Sequence, residues 1–384
     1  MKLGIDFGTN RIVVAAADRG NYPLVSFEGP DGASPDWFPS LIAFRGEERL
    51  YGWQAWEAQG DESWTVLRSV KRLLEDAGPR TLLNLGQGQF SLIGLLNGLA
   101  AALHTALRKD SNLALKQDER LQAVLGVPAH ATSNQRFLTM EAFRAAGFEV
   151  LGVLNEPSAA SIEFGHRQRQ NKSNQETILV YDLGGGTFDA SLVTLDENVH
   201  HVIASEGIAT IGGDDFDHIL ADLALEAAGV SGDARDEISA GAWFRLLEEC
   251  RAKKESLNPN SRRVAVDLEL IEPAWGSVQI PVADFYELAR PLVEETIAVA
   301  EDLLSKHDGE FEALYVTGGG SELPLVARVL RERFGRRVRR SAYTRSATAI
   351  GLAIQAEQPE SYRLSERLAR FFGVWREANG GASI

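Results

Sequence analysis

Two short apolar runs open the chain, KLGID (2–6) and RIVVAAAD (11–18), separated by the turn FGTN. Aliphatic and β-branched residues bounded by turn chemistry predict a pair of strands. The plan returns much later, where TILVYD (177–182) and DASLVTLD (189–196) flank LGGGTF. Between these pairs, 94–108 and 134–146 carry helical spacing, whereas LQAVLGVPA (121–129) and VLGVL (150–154) read as strands. A helix is expected to start at Glu156-Pro157, because proline suits a first helical turn. The polar stretch 167–177 is expected to cross between two lobes. Helices follow near 214–228 and 236–257, strands near 263–271, and a long helix near 283–305. ALYVTGGGSELPLVARVLRERFG (313–335) then reads strand, glycine turn, helix. The alternation predicts an α/β fold, and the repeated strand–Asp–Gly-turn–strand unit predicts two lobes on one plan. Beyond 360, Leu364, Leu368, Phe371 and Phe372 give 363–376 an amphipathic spacing that needs a partner.

Composition narrows the class. A chain of 384 residues exceeds one ordinary core, and 44% apolar residues support a packed protein. A net charge of −15 argues against a generally nucleic-acid-binding surface. The basic run RERFGRRVRR (331–340) goes against that balance and reads as a solvated face. A single cysteine, Cys250, allows no internal disulfide and is expected to be a buried, inert thiol. The chain begins as a strand, which leaves no room for a signal peptide, and no run reaches membrane-span length. A cytoplasmic protein that binds neither membrane nor nucleic acid is expected.

The chemistry concentrates in glycine loops. A phosphate needs converging backbone N–H groups with no side chain in the way, and consecutive glycines after a strand supply them. FGTN, LGGGT and TGGGS are three such loops, and IGGDD (211–215) is a fourth that opens a helix. None fits GxxxxGK[ST] or a GxGxxG that opens a βα unit, so another design is required. Asp6 and Asp182 stand at equivalent strand ends. Together they could hold a hydrated Mg²⁺, which binds through one or two carboxylates plus substrate phosphates.

GIDFGTN, VKRLLED, VPAHATSNQR, VLNEPSAAS, VYDLGGGTFDASL, IGGDDFD and TGGGSELP occur in the order found in the ATPase domain of the seventy-kilodalton heat-shock chaperones. Over about residues 1–357 the chain resembles that DnaK family. The resemblance implies the two-lobed actin-like fold shared with hexokinase-like kinases, with ATP or ADP and Mg²⁺ between the lobes. By position, Asp6 and Asp182 resemble the Mg²⁺-linked aspartates. Gly8, Thr9 and Asn10 resemble one phosphate loop, and Gly184, Gly185, Gly186 and Thr187 the other; Gly212 and Gly213 belong to the IGGDD loop. Lys71 matches the lysine that reaches the γ-phosphate and the attacking water, Glu156 the carboxylate near that water, and Asp189 a further acid. Pro128 and Arg136 match residues that relay nucleotide state toward a linker.

The adenine end departs from the family. In CRAKKESLN (250–258), with Arg251 and Asn258 at its ends, Lys254 takes the conserved lysine place. Glu255 then stands where the family has an adenine-stacking arginine. Glu322, beside Gly318, Gly319 and Gly320, stands where the second arginine would be, and Arg345 replaces an aspartate. Nucleotide binding is therefore expected to be weaker or less base-selective. The resemblance implies lobe I over 1–172 (subdomain IB about 38–115) and lobe II over 173–345 (subdomain IIB about 223–307). A helix over 346–360 would return to lobe I, and 361–384 would be a tail, possible start of a further domain or a partner contact. A sugar or small-molecule kinase, a non-hydrolysing nucleotide sensor and an actin-like filament subunit are the alternatives on this fold.

Overall fold

In the computed structural model, residues 1–384 are described except for 86–87, 169–174, 197–198, 231, 270, 308–309 and 367–384. The repeated sequence unit becomes two sheets with one topology. In the first, strand Lys2–Phe7 pairs antiparallel with Arg11–Ala16, and parallel with Gln122–Val127, which pairs parallel with Glu149–Asn155. In the second, Glu176–Leu183 pairs antiparallel with Phe188–Asp196, and parallel with Ala313–Thr317, which pairs parallel with Val338–Arg340. Each hairpin adds another antiparallel strand on its outer side, Phe38–Pro39 in one sheet and Val199–Ile208 in the other. This mixed α/β architecture is the two-lobed actin-like fold. Parallel strands need crossover connections, and the helices Ser133–Ala145 and Pro324–Phe334 supply them at matching places.

Local signals fix the helix ends. Thr132 and Gln135 form a capping box at the start of Ser133–Ala145, and Ser91 and Ser239 cap Leu92–Lys109 and Ala240–Glu255. Helix Ala347–Glu357 is apolar around most of its circumference. It is buried between strand Lys2–Phe7 and helix Glu156–Gln168. The two largest cores lie one in each lobe, with Phe27, Leu92 and Leu103 in one and Tyr181, Phe216 and Phe285 in the other. Each fully buried side chain of this size contributes about 1.5–3 kcal/mol.

Several expectations change. Residues 363–366 are a strand that pairs parallel with Val199–Ile208, so Leu364 belongs to a sheet edge rather than to an amphipathic segment. Leu368, Phe371 and Phe372 lie outside the described residues. The helix expected from 236 starts at Ala240, after a separate short helix Asp233–Asp236. Where strands are expected near 263–271 there is one among the described residues, Arg263–Asp267, which pairs antiparallel with Ser277–Pro281.

Candidate active site

The two hairpins aim their turns at one cleft. Asp6 sits near the end of its strand opposite Val13; Asp182 sits opposite Asp189 in one direction and Thr317 in the other. Asp6, Asp182, Asp189 and Thr317 all line the cleft, together with Gly8, Thr9, Asn10, Gly184, Gly185, Thr187 and Gly213.

Two of the three glycines at 184–186 are explained by what presses on them. A Cβ at Gly185 would lie 2.6 Å from Asn10 Nδ2, and one at Gly186 would lie 2.8 Å from Thr9 Cγ2 and 2.7 Å from Arg72 Nε. The phosphate-loop candidates of the two lobes thus interlock, and a side chain would hold them apart. The fourth loop completes the interlock: Gly213 N–H donates to Gly184 O at 3.0 Å and Asp214 N–H to Gly185 O at 2.7 Å. At Gly318 the reason is different, because φ of +85° is left-handed and a Cβ would meet Leu183 O at 2.3 Å.

Lys71 is buried, 8% exposed, and donates to Glu156 Oε1 at 2.5 Å. It sits on a short turn, Val70–Leu74, that follows Ser69 in the left-handed region at φ +55°. A non-glycine residue there is strained. The Ser69 hydroxyl donates to Asp214 Oδ2 at 3.1 Å, which ties the turn to the opposite lobe. Glu156 opens its helix, where the dipole favours a carboxylate.

The electrostatics are lopsided. Burial, then the charge of Glu156, pushes the Asp6 carboxyl up to about 7 against the pull of Lys71. Burial and Glu156 likewise bring Asp189 to about 7. Asp182 is raised well above the carboxylate range by burial, then by Glu156, Asp6 and Asp189. Burial works against the charge of Lys71, but Glu156 and Asp6 outweigh it and raise its pKa. Four carboxylates facing one ammonium leave room for more positive charge. Among the described residues, no three or more His, Cys, Asp or Glu side chains are arranged to cage a metal. The all-oxygen donors of Asp6 and Asp182 suit a hard cation that keeps its waters.

The other end of the cleft alternates in charge. Arg345 donates from Nε to Glu322 Oε2 at 2.6 Å and from Nη1 to Glu255 Oε2 at 3.0 Å. Arg11 of the first lobe donates to the same Glu255 oxygen at 3.0 Å, and Arg340 pairs with Glu322 at 3.4 Å. Below them Lys254 donates to Gly213 O at 2.5 Å and pairs with Asp217 at 2.6 Å; Arg251 pairs with Asp214, Asp217 and Glu248. Gly318, Gly319 and Gly320 line this end. Asn258 does not line the cleft: it is exposed, and its carboxamide oxygen accepts from Asn260 N–H at 3.0 Å. Gly212 packs behind the lining, against the backbone of Gly185 and Gly186.

The sequence reading did not single out Arg68, Arg72 or Asp214. Arg72 donates to Gly186 O at 2.6 Å, and Arg68 pairs with Glu248 at 3.2 Å across the lobes. Their signal was present, since Arg72 lies in VKRLLED and Asp214 in IGGDDFD. A second cavity of about 470 Å³ shares Lys71, Thr187 and Asp189 with the cleft, and Pro128 lines it. Arg136 donates to Asn155 Oδ1. The basic run is paired with acids outside it, through Arg333–Glu301, Arg339–Glu176 and Arg340–Glu322, with Arg337 over the Phe311 ring. Cys250 is buried, and burial raises its thiol pKa. No helix among the described residues is long and apolar enough to cross a membrane.

The family model described as "Hsp70 protein" matches residues 97–361. The Chaperone protein HscA of Serratia proteamaculans (strain 568) is 32% identical over 373 residues, covering 92% of this chain and 57% of that protein. The HscA homolog of Pseudomonas fluorescens (strain SBW25) is 31% identical, covering 93% of this chain and 57% of its own length. The HscA homolog of Pseudomonas aeruginosa (strain LESB58) is 31% identical, with 96% and 59% covered. The chain therefore spans less than three fifths of the length of the curated relatives it matches. The duplicated sheets, the interlocked glycine loops and these matches agree, and the chain belongs to the Hsp70 family.

Proposed function

We propose that the cleft binds ATP with Mg²⁺ and hydrolyses it, and that the nucleotide state of this ATPase module drives a partner or a further domain, as in a chaperone. The observation that carries this reading is the buried Lys71–Glu156 pair, set among Asp6, Asp182 and Asp189 beside glycine loops from both lobes. Phosphoryl transfer depends mainly on positioning and charge stabilisation, which such a set supplies.

Asp6 and Asp182 would hold a hydrated Mg²⁺, which lends positive charge to the phosphate oxygens. Backbone N–H groups of the glycine loops would bind those oxygens, and Thr9 and Thr187 would add hydroxyl donors. Lys71 would donate to the γ-phosphoryl oxygens as negative charge develops on them. Glu156 holds Lys71 by its hydrogen bond and would orient the attacking water with its other oxygen. Asp189, brought to about 7, would take up a proton from that water. Residues 1–172 and 173–345 would be the bodies that rotate about this cleft. Pro128, at the second cavity, and Arg136 would face the partner.

The test is hydrolysis of ATP by the purified chain with and without Mg²⁺, alongside product analysis with candidate phosphate acceptors. Mg²⁺-dependent release of phosphate supports the ATPase. Transfer to a sugar would replace it with the kinase alternative, and binding without turnover would leave a nucleotide sensor.

A further inference from the structure

Resting on the nucleotide reading, we infer that Arg345 is the surface on which the nucleobase stacks, and that Glu255 and Glu322 serve to hold it flat. The cleft would then take nucleotides by stacking on the base, with little discrimination between adenine and guanine.

Arg345 lines the cleft at the end away from Lys71, beside the Gly318–Gly320 loop; a Cβ at Gly319 would lie 3.8 Å from its Cγ. Its planar fork is held at two points, with Nε on Glu322 at 2.6 Å and Nη1 on Glu255 at 3.0 Å. Bonds in the plane of a guanidinium fix its edges and leave its face available. The side chain is 38% exposed, and no ring among the described residues covers it. Arg11 makes the contrast: it reaches the same Glu255 oxygen, but its guanidinium lies 4.7 Å over Trp37. A fixed, uncovered guanidinium at the end of a phosphate-binding cleft offers a stacking surface for an aromatic ring system.

The acids beside it each already hold arginines. Glu255 Oε2 accepts from both Arg345 and Arg11, and Glu322 accepts from Arg345 and pairs with Arg340. Reading adenine against guanine needs free donors or acceptors aimed at the base edge. Stacking needs none, because every base has a π-face.

The test is calorimetric titration of the full chain with the Mg²⁺ complexes of ATP, GTP and inorganic tripolyphosphate, for the parent, Arg345→Ala and Arg345→Lys. The parent is expected to bind ATP and GTP within about threefold of each other, and both more tightly than tripolyphosphate. Arg345→Ala should weaken ATP and GTP by about 2- to 30-fold and leave tripolyphosphate unchanged. Arg345→Lys keeps the charge without the planar face, so it should resemble the alanine variant and also controls for folding. Equal or tighter nucleotide binding by Arg345→Ala, full rescue by lysine, or a parent preference of tenfold or more for one purine would each overturn the assignment. A parent that binds neither ATP nor tripolyphosphate would overturn the nucleotide reading itself.

Discussion

At one end of the cleft four carboxylates crowd around a single buried lysine; at the other, glutamates and arginines alternate and nearly cancel. The first arrangement is costly in its own charges. Burial, then repulsion led by Glu156, holds Asp6, Asp182 and Asp189 above the ordinary carboxylate range. Lys71 opposes this at all three, joined at Asp189 by a backbone hydrogen bond from Ala129. The second is already satisfied, since Arg11, Arg345 and Arg340 share Glu255 and Glu322. A site that lacks positive charge can gain a great deal from a cation and phosphate-binding groups, whereas a neutralised one has little to gain from a new charge. Under the proposed function, chemistry and metal dependence would belong to one end, and modest, shape-based binding to the other.

The largest effect should come from the crowded end. Lys71→Ala is expected to bind Mg-ATP yet turn over about 10²–10³-fold more slowly in single-turnover assays, the usual cost of one transition-state contact. Undiminished hydrolysis would remove Lys71 from the catalytic set. Asp182→Asn should act on binding as well, weakening Mg²⁺-dependent nucleotide affinity by about ten- to hundredfold, the size expected for a charged contact. The same change should raise the thermal midpoint of the empty protein, because it removes a buried carboxylate that its neighbours repel. A variant that loses function and gains stability would mark strain kept for ligand binding. A fall in both would show that the crowding has been overstated.

A subtler check lies beneath the neutral end. Burial brings the Asp217 carboxyl to about 7, although Lys254 Nζ stands 2.6 Å away and pulls it down. A carboxylate raised in the folded state takes up a proton on folding between its unfolded value near 4 and about 7. Its contribution to stability therefore falls as pH rises through that window and is constant outside it. Whatever fixed cost Asn imposes, the unfolding free energy of Asp217→Asn relative to the parent should rise from pH 4 to 7. The slope can reach about 1.4 kcal/mol per pH unit. Urea titrations at several pH values would measure it, and a flat difference would mean that Asp217 is ionised throughout.

How much of this could be read from the chain depends on how local each cause is. The hairpins of both lobes were legible because strand period and turn chemistry lie within a few residues. The placement of Asp6 and Asp182 followed from the ends of those strands. Taken alone, Lys71 reads as a surface helix charge. Its burial comes from the left-handed turn at Ser69 and from contact with the opposite lobe, neither visible in VKRLLED. The reason for Gly185 and Gly186 was only half legible: the need for bare backbone was plain, but the close approach of Asn10 and Thr9 is a tertiary fact. The Arg345 clamp was hidden because its partners are 23 and 90 residues away. Residues 363–366 misled for a similar reason. Their spacing suits an amphipathic segment, and the open edge of Val199–Ile208 turns them into a strand.

The smallest predicted effect tests whether the neutral end also serves as a structural clasp. Arg11 and Glu255 join the two lobes, but their side chains are 23% and 27% exposed, so solvent weakens the attraction. Arg11→Ala loses that pair and the contact with Trp37. Ion pairs of this exposure contribute about 0.2–1 kcal/mol, and an exposed cation–π contact about 0.5–1 kcal/mol. Urea denaturation should therefore place the variant within about 2 kcal/mol of the parent, with the gap narrowing as salt is raised. A salt-independent loss of 3 kcal/mol or more, the size expected for breaking a buried pair, would mean that Arg11 and Glu255 hold the lobes together. The two ends would then differ in the sign of their charge imbalance but not in stiffness, and opening this end would become a candidate for the step that limits nucleotide exchange.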